Sequence, residues 1–290
     1  MTLTARHGAD IRRLDGSHMD ALMAITDEVG WGFTRQYWQV VLAAGAVFGL
    51  YRDEDTPAAV SAIFDYGPEL SALGVVIVRE RYRGQGLASL VIDAAEGGLE
   101  RTGAPLLLIS TADGQPVYER RGFVTVSECR KLVKPEGVIV GEPPKLENGR
   151  FVPVTEDNLD RVLELDRAVF GADRTPVIRA MFHTCLQALA VEQDGDLTGY
   201  AFLYARQGIE AIGPVVAEND AMAKALCQML AYGREGGVRI DVLSHQATFG
   251  EALGTLGFQT AEAVPLMMLN GSSDLVSRPG AYALVSQTYG

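Results

Sequence analysis

The hydrophobic pattern of the first half predicts an alternation of strands and helices. Apolar side chains at helical spacing, from Leu87 to Ala95, predict an amphipathic helix over about 85–101. The short apolar run Pro105–Ser110 is typical of a buried strand. A helix is predicted to begin at about Ser17, where Ser17 and Asp20 have capping-box spacing, and another after Thr34. Further strands are predicted near residue 11 and over 46–51, 58–65, 71–78 and 123–133.

The second half repeats this order of elements. In each half a short helix is followed by a Gly-Phe pair that opens a strand, at Gly122-Phe123 and at Gly257-Phe258. The shared order of strand, helix, strand, short helix and Gly-Phe predicts an internal duplication. A last helix and strand are predicted to lead into a tail beyond Asn270.

A boundary between the halves is predicted at residues 134–149. This segment holds three prolines and three glycines, a density that interrupts both helices and strands. A length of 290 residues fits two domains of ordinary size. We therefore expect a first domain over 1–133, a linker over 134–149 and a second domain over 150–290.

Composition and charge narrow the classes of partner. The net charge of −12 disfavours nucleic acid and anionic membranes and mildly favours cations such as amines. The three cysteines and four histidines have neither disulfide nor metal-ligand spacing, so no metal is expected. No signal peptide or run of roughly 20 apolar residues is found, which predicts a cytoplasmic protein.

The residues with the clearest chemistry lie between Val75 and Ala88. A predicted strand runs into a glycine turn that opens a helix, where backbone N–H groups and the helix dipole attract anions. Gly84 and Gly86 allow close approach of the backbone, and Arg81 and Arg83 add positive charge. This combination predicts a pyrophosphate-binding cradle.

Two other phosphate-binding loops fit this segment poorly. A Walker loop needs Lys-Ser/Thr after its glycines, and none is present. The dinucleotide fingerprint needs a third glycine, where this sequence has Ser89.

The pattern Arg81-x-x-Gly84-x-Gly86 resembles the pyrophosphate signature of the GNAT superfamily of N-acetyltransferases. The preceding Val-x-Val strand and the later Tyr118-x-x-x-Gly122-Phe123 are similar to the same family, and the resemblance covers about residues 10–133. The whole chain resembles the branch with a second, degenerate GNAT-like domain, with Ile212–Ala217 as the matching segment. The resemblance implies an α/β (α+β) fold of two GNAT-like domains, each with a mixed, mostly antiparallel central sheet flanked by helices.

The resemblance also implies residue roles toward acetyl-CoA, with no metal. Tyr118 would protonate the departing thiolate, the backbone of Val76 and Val78 would pair with the pantetheine arm, and an N–H at or near Val76 would bind the thioester oxyanion. The implied cofactor-binding residues are Val76, Ile77, Val78, Arg81, Arg83, Gly84, Gln85, Gly86, Leu87, Ala88 and Ser89.

The general base and several contacts stay open in the sequence. Ser110 and Thr111 stand where the family often has an asparagine that contacts CoA. Trp31 is either a wall of the substrate site or a core aromatic. The candidate bases, none of them preferred, are Glu28, Asp65, Glu69 and Asp241.

The second half lacks the cradle. Ala-Glu-Asn-Asp follows Val216, and Leu253 stands where Tyr118 would recur. We expect an acetyltransferase that acts on a primary amine by direct attack, with a small cationic molecule as the acceptor. The second half is expected to form a wall of the acceptor site or to stabilise the first half. The alternatives are a non-catalytic acyl-CoA-binding regulator, a protein-lysine or N-terminal acetyltransferase, and a binder of another phosphate ligand. The sequence does not indicate an oligomeric state.

Overall fold

The computed structural model describes residues 2–4, 10–52, 55–99, 103–146 and 148–290, with side chains from residue 10 onward. The first half contains β1 (Thr2–Thr4), β2 (Asp10–Leu14), α1 (Met19–Glu28), α2 (Arg35–Ala44), β3 (Ala46–Tyr51), β4 (Ala59–Asp65), β5 (Ser71–Val78), α3 (Leu87–Glu96), β6 (Leu106–Ile109), α4 (Gln115–Glu119) and β7 (Val124–Lys134). The second half contains β8 (Arg150–Pro153), α5 (Glu156–Phe170), α6 (Thr175–Thr184), β9 (Gln187–Gln193), β10 (Asp196–Arg206), β11 (Ile209–Ala217), α7 (Asp220–Ala231), β12 (Val238–Leu243), α8 (Ala247–Gly254), β13 (Gln259–Leu269) and β14 (Ala281–Ala283).

The two halves have the same order of elements, as the sequence predicts. From β2 to β7, each helix and strand has a counterpart in the series from β8 to β13. Gly122 and Gly257 both adopt a left-handed φ, +91° and +87°, directly before the phenylalanine. This equivalence confirms the predicted duplication at the level of topology.

The strands form one continuous sheet in which the halves exchange their last strands. The order is β1-β2-β3-β4-β5-β6-β13-β7-β12-β11-β10-β9-β8. Strand β13 lies between β6 and β7, and β7 lies between β13 and β12. Among the described strands only β5 with β6 and β11 with β12 pair in parallel, so the predicted mixed, mostly antiparallel sheet is confirmed. Because of the exchange, each half completes the sheet of the other.

Helix starts follow their capping residues, with one correction. Thr34 caps α2 by accepting a hydrogen bond from the N–H of Tyr37 at 3.1 Å, as predicted. The predicted cap at Ser17 is wrong. Asp15 caps a short 3₁₀ turn by accepting from the N–H of Ser17, and α1 begins only at Met19. The Asp15 carboxylate, and not the Ser17 hydroxyl, accepts the hydrogen bonds from the first free N–H groups.

Helix α3 is shorter than the hydrophobic pattern predicts. It runs from Leu87 to Glu96 and ends at Gly97, whereas the pattern predicts about 85–101. The paired glycines Gly97 and Gly98 stop it because they favour the unfolded backbone. Residues 100 and 101 of the predicted helix lie outside the described residues.

The segment beyond β13 is part of the core, which the sequence prediction of a tail missed. Strand β14 pairs with β11 at Val215 and Val216. Tyr289 is fully buried, and its carbonyl oxygen accepts a hydrogen bond from the Tyr66 hydroxyl at 2.6 Å. Arg174 donates to the oxygen of Gly290 at 3.3 Å. We call residues 284–290 the C-terminal segment; it packs between the two halves.

Candidate active site

A cleft of about 1210 Å³ opens where β5 and β6 separate. The two parallel strands pair only at Ser71 with Leu106 and at Ala72 with Leu107. Beyond these pairs β5 runs on to Val78 without β6 beside it, so its edge faces the cleft. An exposed strand edge offers N–H and C=O groups to an extended ligand.

A bulge in β5 turns backbone groups toward this cleft. The register with β4 passes from Gly74 opposite Ala62 to Ile77 opposite Val60, so Val75 and Val76 fall between ladder pairs. Val75 has φ +54°, a left-handed conformation that is rare for a β-branched residue. The bulge removes local N–H groups from the ladder, which makes them available to a developing oxyanion.

The glycine turn before α3 has the geometry of an anion cradle. Gly84 and Gly86 have φ of +75° and +74°, and a Cβ atom on either would have no heavy atom within 4 Å. Gly86 is the N-cap of α3 and brings no side-chain cap, so the N–H groups of Leu87 and Ala88 are left for a ligand, whereas that of Ser89 donates to the Gly86 carbonyl at 3.2 Å. The open space and the free donors fit the pyrophosphate of a coenzyme A derivative.

Tyr118 lies in the same cleft. Its side chain is 7% exposed, and burial raises the pKa of its hydroxyl well above the usual value. The ring stacks edge-on against Phe123 at 5.9 Å. Within the described residues its hydroxyl makes no hydrogen bond, so this neutral phenol can donate to a ligand atom.

The cleft brings together most of the predicted site residues. Arg81 and Gln85 do not line it: Arg81 stacks on the Tyr82 ring at 5.0 Å, and the Gln85 amide donates to the Arg81 carbonyl at 3.5 Å. Ser110, Thr111 and Trp31, which the sequence left open, all line the cleft. The predicted residues that line it are Val76, Ile77, Val78, Arg83, Gly84, Gly86, Leu87, Ala88, Ser89 and Tyr118.

None of the four candidate bases lines the cleft. Glu28 pairs with Arg79 at 2.6 Å. Asp241 is buried and accepts two hydrogen bonds from Arg239. Asp65 and Glu69 lie at the turn that joins β4 to β5. The carboxylates that do line the cleft are Asp113 and Glu262, and Glu262 pairs with Lys131 at 3.2 Å.

The second half contributes residues that the sequence did not single out. They come from β10, β12, β13 and the C-terminal segment, which the exchanged sheet and the buried chain end bring beside β5. No local sequence pattern identifies these residues, because each occupies an ordinary position in a predicted strand or in the predicted tail. They are Arg206, Arg239, Glu262, Val264, Gln287 and Thr288.

The equivalent cleft of the second half is filled by the chain itself. Strand β11 leaves β12 after Ile212, as β5 leaves β6, but β14 then pairs with β11. The side chain of Asn219 caps α7 by accepting from the N–H of Met222 at 3.0 Å. This half therefore presents neither a free strand edge nor an uncapped helix start at the equivalent place.

The described residues contain neither a membrane-spanning helix nor a metal-binding cluster. None of the helices in that part of the chain is long and apolar enough to cross a membrane. No group of three or more His, Cys, Asp or Glu side chains there could hold a metal ion.

The sequence matches two domain families, and both are described as acetyltransferase (GNAT) domains. One match covers residues 34–132 and the other residues 162–280. A curated relative from Bacillus subtilis (strain 168), the uncharacterized N-acetyltransferase YitH, is 25% identical over 284 residues, covering 97% of this chain and 98% of the relative.

Solved structures share the fold over nearly the whole chain. A putative acetyltransferase from Pyrococcus horikoshii has a TM-score of 0.77 at 18% identity, covering 99% of this chain and 97% of that one. A tandem GNAT protein from the clavulanic acid biosynthesis pathway has a TM-score of 0.64 at 13% identity, covering 92% and 100%. With a GNAT match in each half and the fold of tandem GNAT proteins, the chain belongs to the GNAT acetyltransferases and is an acyltransferase of the tandem type.

Proposed function

We propose that the protein transfers an acetyl group from acetyl-CoA to a primary amine by direct attack. The observation that carries the proposal is one cleft lined by the β5 bulge, the Gly84–Gly86 turn and Tyr118. These are an oxyanion donor, an anion cradle and a proton donor, the three groups that thioester aminolysis needs. The first domain, over 1–133, supplies all of them.

The reaction balances without a covalent enzyme intermediate. Bound acetyl-CoA supplies the thioester: the amine nitrogen forms a bond to its carbonyl carbon, the C–S bond breaks, and one proton passes overall from nitrogen to sulfur. The bulge at Val75 and Val76 would hold the carbonyl oxygen as it gains charge. Tyr118 would donate to the leaving sulfur, which its neutral phenol is suited to do.

The cofactor site is tested by isothermal titration with acetyl-CoA. Gly86→Glu places bulk and negative charge in the cradle, and we expect it to abolish the micromolar binding of the parent. Gly137→Glu is the matched control, since Gly137 has φ +78° and open space around it but lies outside the cleft. Absence of binding to the parent would overturn the proposal. Equal loss in both variants would attribute the effect to backbone strain rather than to the cradle.

Turnover is tested separately by release of free thiol from acetyl-CoA in the presence of amines. Binding without thiol release for any amine would favour the non-catalytic regulator over the enzyme.

A further inference from the structure

The lining of the cleft carries more cationic than anionic side chains, although the whole chain carries a net charge of −12. Its charged lining residues are four arginines and two carboxylates: Arg83, Arg120, Arg206, Arg239, Asp113 and Glu262. Arg83 lies beside the phosphate cradle and Arg120 beside Tyr118. Arg206 and Arg239 come from the second half and are left without a role in binding the cofactor.

Arg206 is a half-buried cation without a counter-charge. Its guanidinium donates to the carbonyl of Trp31 at 2.5 Å and lies 4.8 Å from the centre of the Tyr37 ring. It forms no ion pair with a carboxylate of the described residues. A guanidinium has five N–H donors, and among the described residues the Arg206 guanidinium donates one hydrogen bond, to Trp31. Withdrawing such a charge from water is costly unless an anion meets it.

Arg239 is held in place for the same cleft. It donates to Asp241 through two nitrogens at 3.0 and 2.9 Å, and Gln287 donates to the same carboxylate at 3.4 Å. This leaves the second terminal nitrogen of Arg239 free of Asp241. The Arg239 side chain is 12% exposed and lines the cleft.

The sheet register puts these two arginines on one face. Arg206 lies opposite Ile209 of β11, and Arg239 lies opposite Ala211 of the same strand. Positions two apart along a strand share a face. The two flanking strands are separated by two strand spacings, about 10 Å, and the offset of two residues adds about 7 Å along the strands, so the two Cα atoms lie about 12 Å apart. Two arginine side chains can span that distance to reach a single carboxylate.

We propose that Arg206 and Arg239 bind a carboxylate of the acceptor, so that the substrate class is an amine that also carries a carboxylate, such as an amino acid. This inference rests on the proposed acetyl transfer and deepens it. It replaces the purely cationic acceptor that the net charge favours, because local lining charges, not the total, face the ligand.

The test compares amino acids with their own carboxamides, which keep the amine and remove the negative charge. Thiol release is measured for six amino acids, each beside its own carboxamide: glycine, β-alanine, γ-aminobutyrate, L-leucine, L-phenylalanine and L-glutamate. Putrescine is included as an amine that carries positive charge only. We expect at least one carboxylate to exceed its amide by roughly 10-fold or more in kcat/KM, the range of one charged hydrogen bond.

The variant that tests the site is Arg206→Gln. We expect it to raise KM for the preferred carboxylate by roughly 10–100-fold, with a clearly smaller change in KM for the amide and an unchanged Kd for acetyl-CoA. Arg206→Lys should fall between, because it keeps the charge without the planar fork. Arg206 is preferred to Arg239, whose removal would strand the buried Asp241. Arg179→Gln is the control, an exposed ion-pair arginine far from the cleft lining.

Each outcome decides between the two proposals. Thiol release with putrescine or the amides but not with the carboxylates, while acetyl-CoA still binds, overturns the carboxylate proposal alone. Thiol release with none of these amines overturns the carboxylate proposal and also favours the non-catalytic regulator over the enzyme. Equal loss for carboxylate and amide in Arg206→Gln also overturns it. Failure of acetyl-CoA to bind the parent overturns the proposed function itself.

Discussion

Gly74 on β5 and Thr288 in the C-terminal segment pack backbone against backbone: a Cβ atom on residue 74 would lie 2.3 Å from the Thr288 carbonyl oxygen. Gly213, the equivalent residue of β11, has the same relationship to Leu284, whose carbonyl oxygen would lie 2.2 Å from its Cβ. The C-terminal segment therefore runs past both glycines. It helps to fill the cleft of the second half and forms part of the wall of the cleft in the first half.

Gly74→Ala should destabilise the protein by about 1–3 kcal/mol, because the added methyl group meets a backbone oxygen that a side-chain rotation cannot move. Urea unfolding measures this loss. Gly250→Ala in α8 is the control, since its Cβ would have no heavy atom within 4 Å, and helix propensity should make it neutral or stabilising by up to about 1 kcal/mol. Equal free energies of unfolding for the two variants would contradict the packing argument.

Tyr118→Phe should lower kcat by roughly 100-fold or more while leaving the Kd for acetyl-CoA and the Tm unchanged. The hydroxyl has no hydrogen bond to any described residue, so its removal strands no partner, and the ring keeps its contact with Phe123. Steady-state kinetics and titration together separate the two effects. A variant with parental kcat would exclude Tyr118 as the proton donor.

Stability should fall as the pH rises above about 10, the ordinary pKa of tyrosine. Burial raises the pKa of Tyr66 and Tyr204, so the unfolded chain loses these protons before the folded one does, and rising pH favours unfolding. Both hydroxyls also hold the C-terminal region, Tyr66 through Tyr289 and Tyr204 through Val285. Tyrosinate absorbance of these side chains should appear together with loss of circular dichroism. Their ionisation in a protein that stays folded would contradict the prediction.

Asp166→Ala should cost about 3–5 kcal/mol of stability, because it leaves the buried Arg174 without its counter-charge. The pair lies at 2.8 Å, with side-chain exposures of 2% and 3%. Asp160→Ala breaks the exposed pair with Arg179, at 2.9 Å, and should cost less than about 1 kcal/mol. Chemical denaturation of both variants compares the two pairs directly. Similar losses would show that burial does not distinguish them.

The sequence predicts what local chemistry determines. The Thr34 cap, the glycine turn at Gly84 and Gly86 that opens a helix, and the Gly122-Phe123 pair before a strand each depend on neighbours in the chain, and the structure has all three. Two local predictions are wrong. The helix does not continue beyond Gly97, because Gly97 and Gly98 destabilise a helical backbone. Ser17 is not the cap, because the Asp15 carboxylate takes that role.

The acceptor side depends on long-range pairing, which no local pattern encodes. Arg206 and Arg239 reach the cleft only because the second sheet joins the first through the exchanged strands. The chain beyond β13 offers one usable signal, the apolar run Ala281–Val285 after a polar turn. That run is typical of a buried strand, and part of it is β14.

The strand exchange also sets an order on the folding of a chain as it leaves the ribosome. Strand β7 ends at Lys134, whereas its partner β13 begins at Gln259. The nascent first half thus carries the whole phosphate cradle and Tyr118, but with an unfilled gap between β6 and β7 and unpaired strand edges that favour aggregation. The gap closes only after β13 has been synthesised, and Gln287 and Thr288 join the cleft later still. A chain interrupted before β13 therefore contains the proposed catalytic motifs yet cannot complete the cleft.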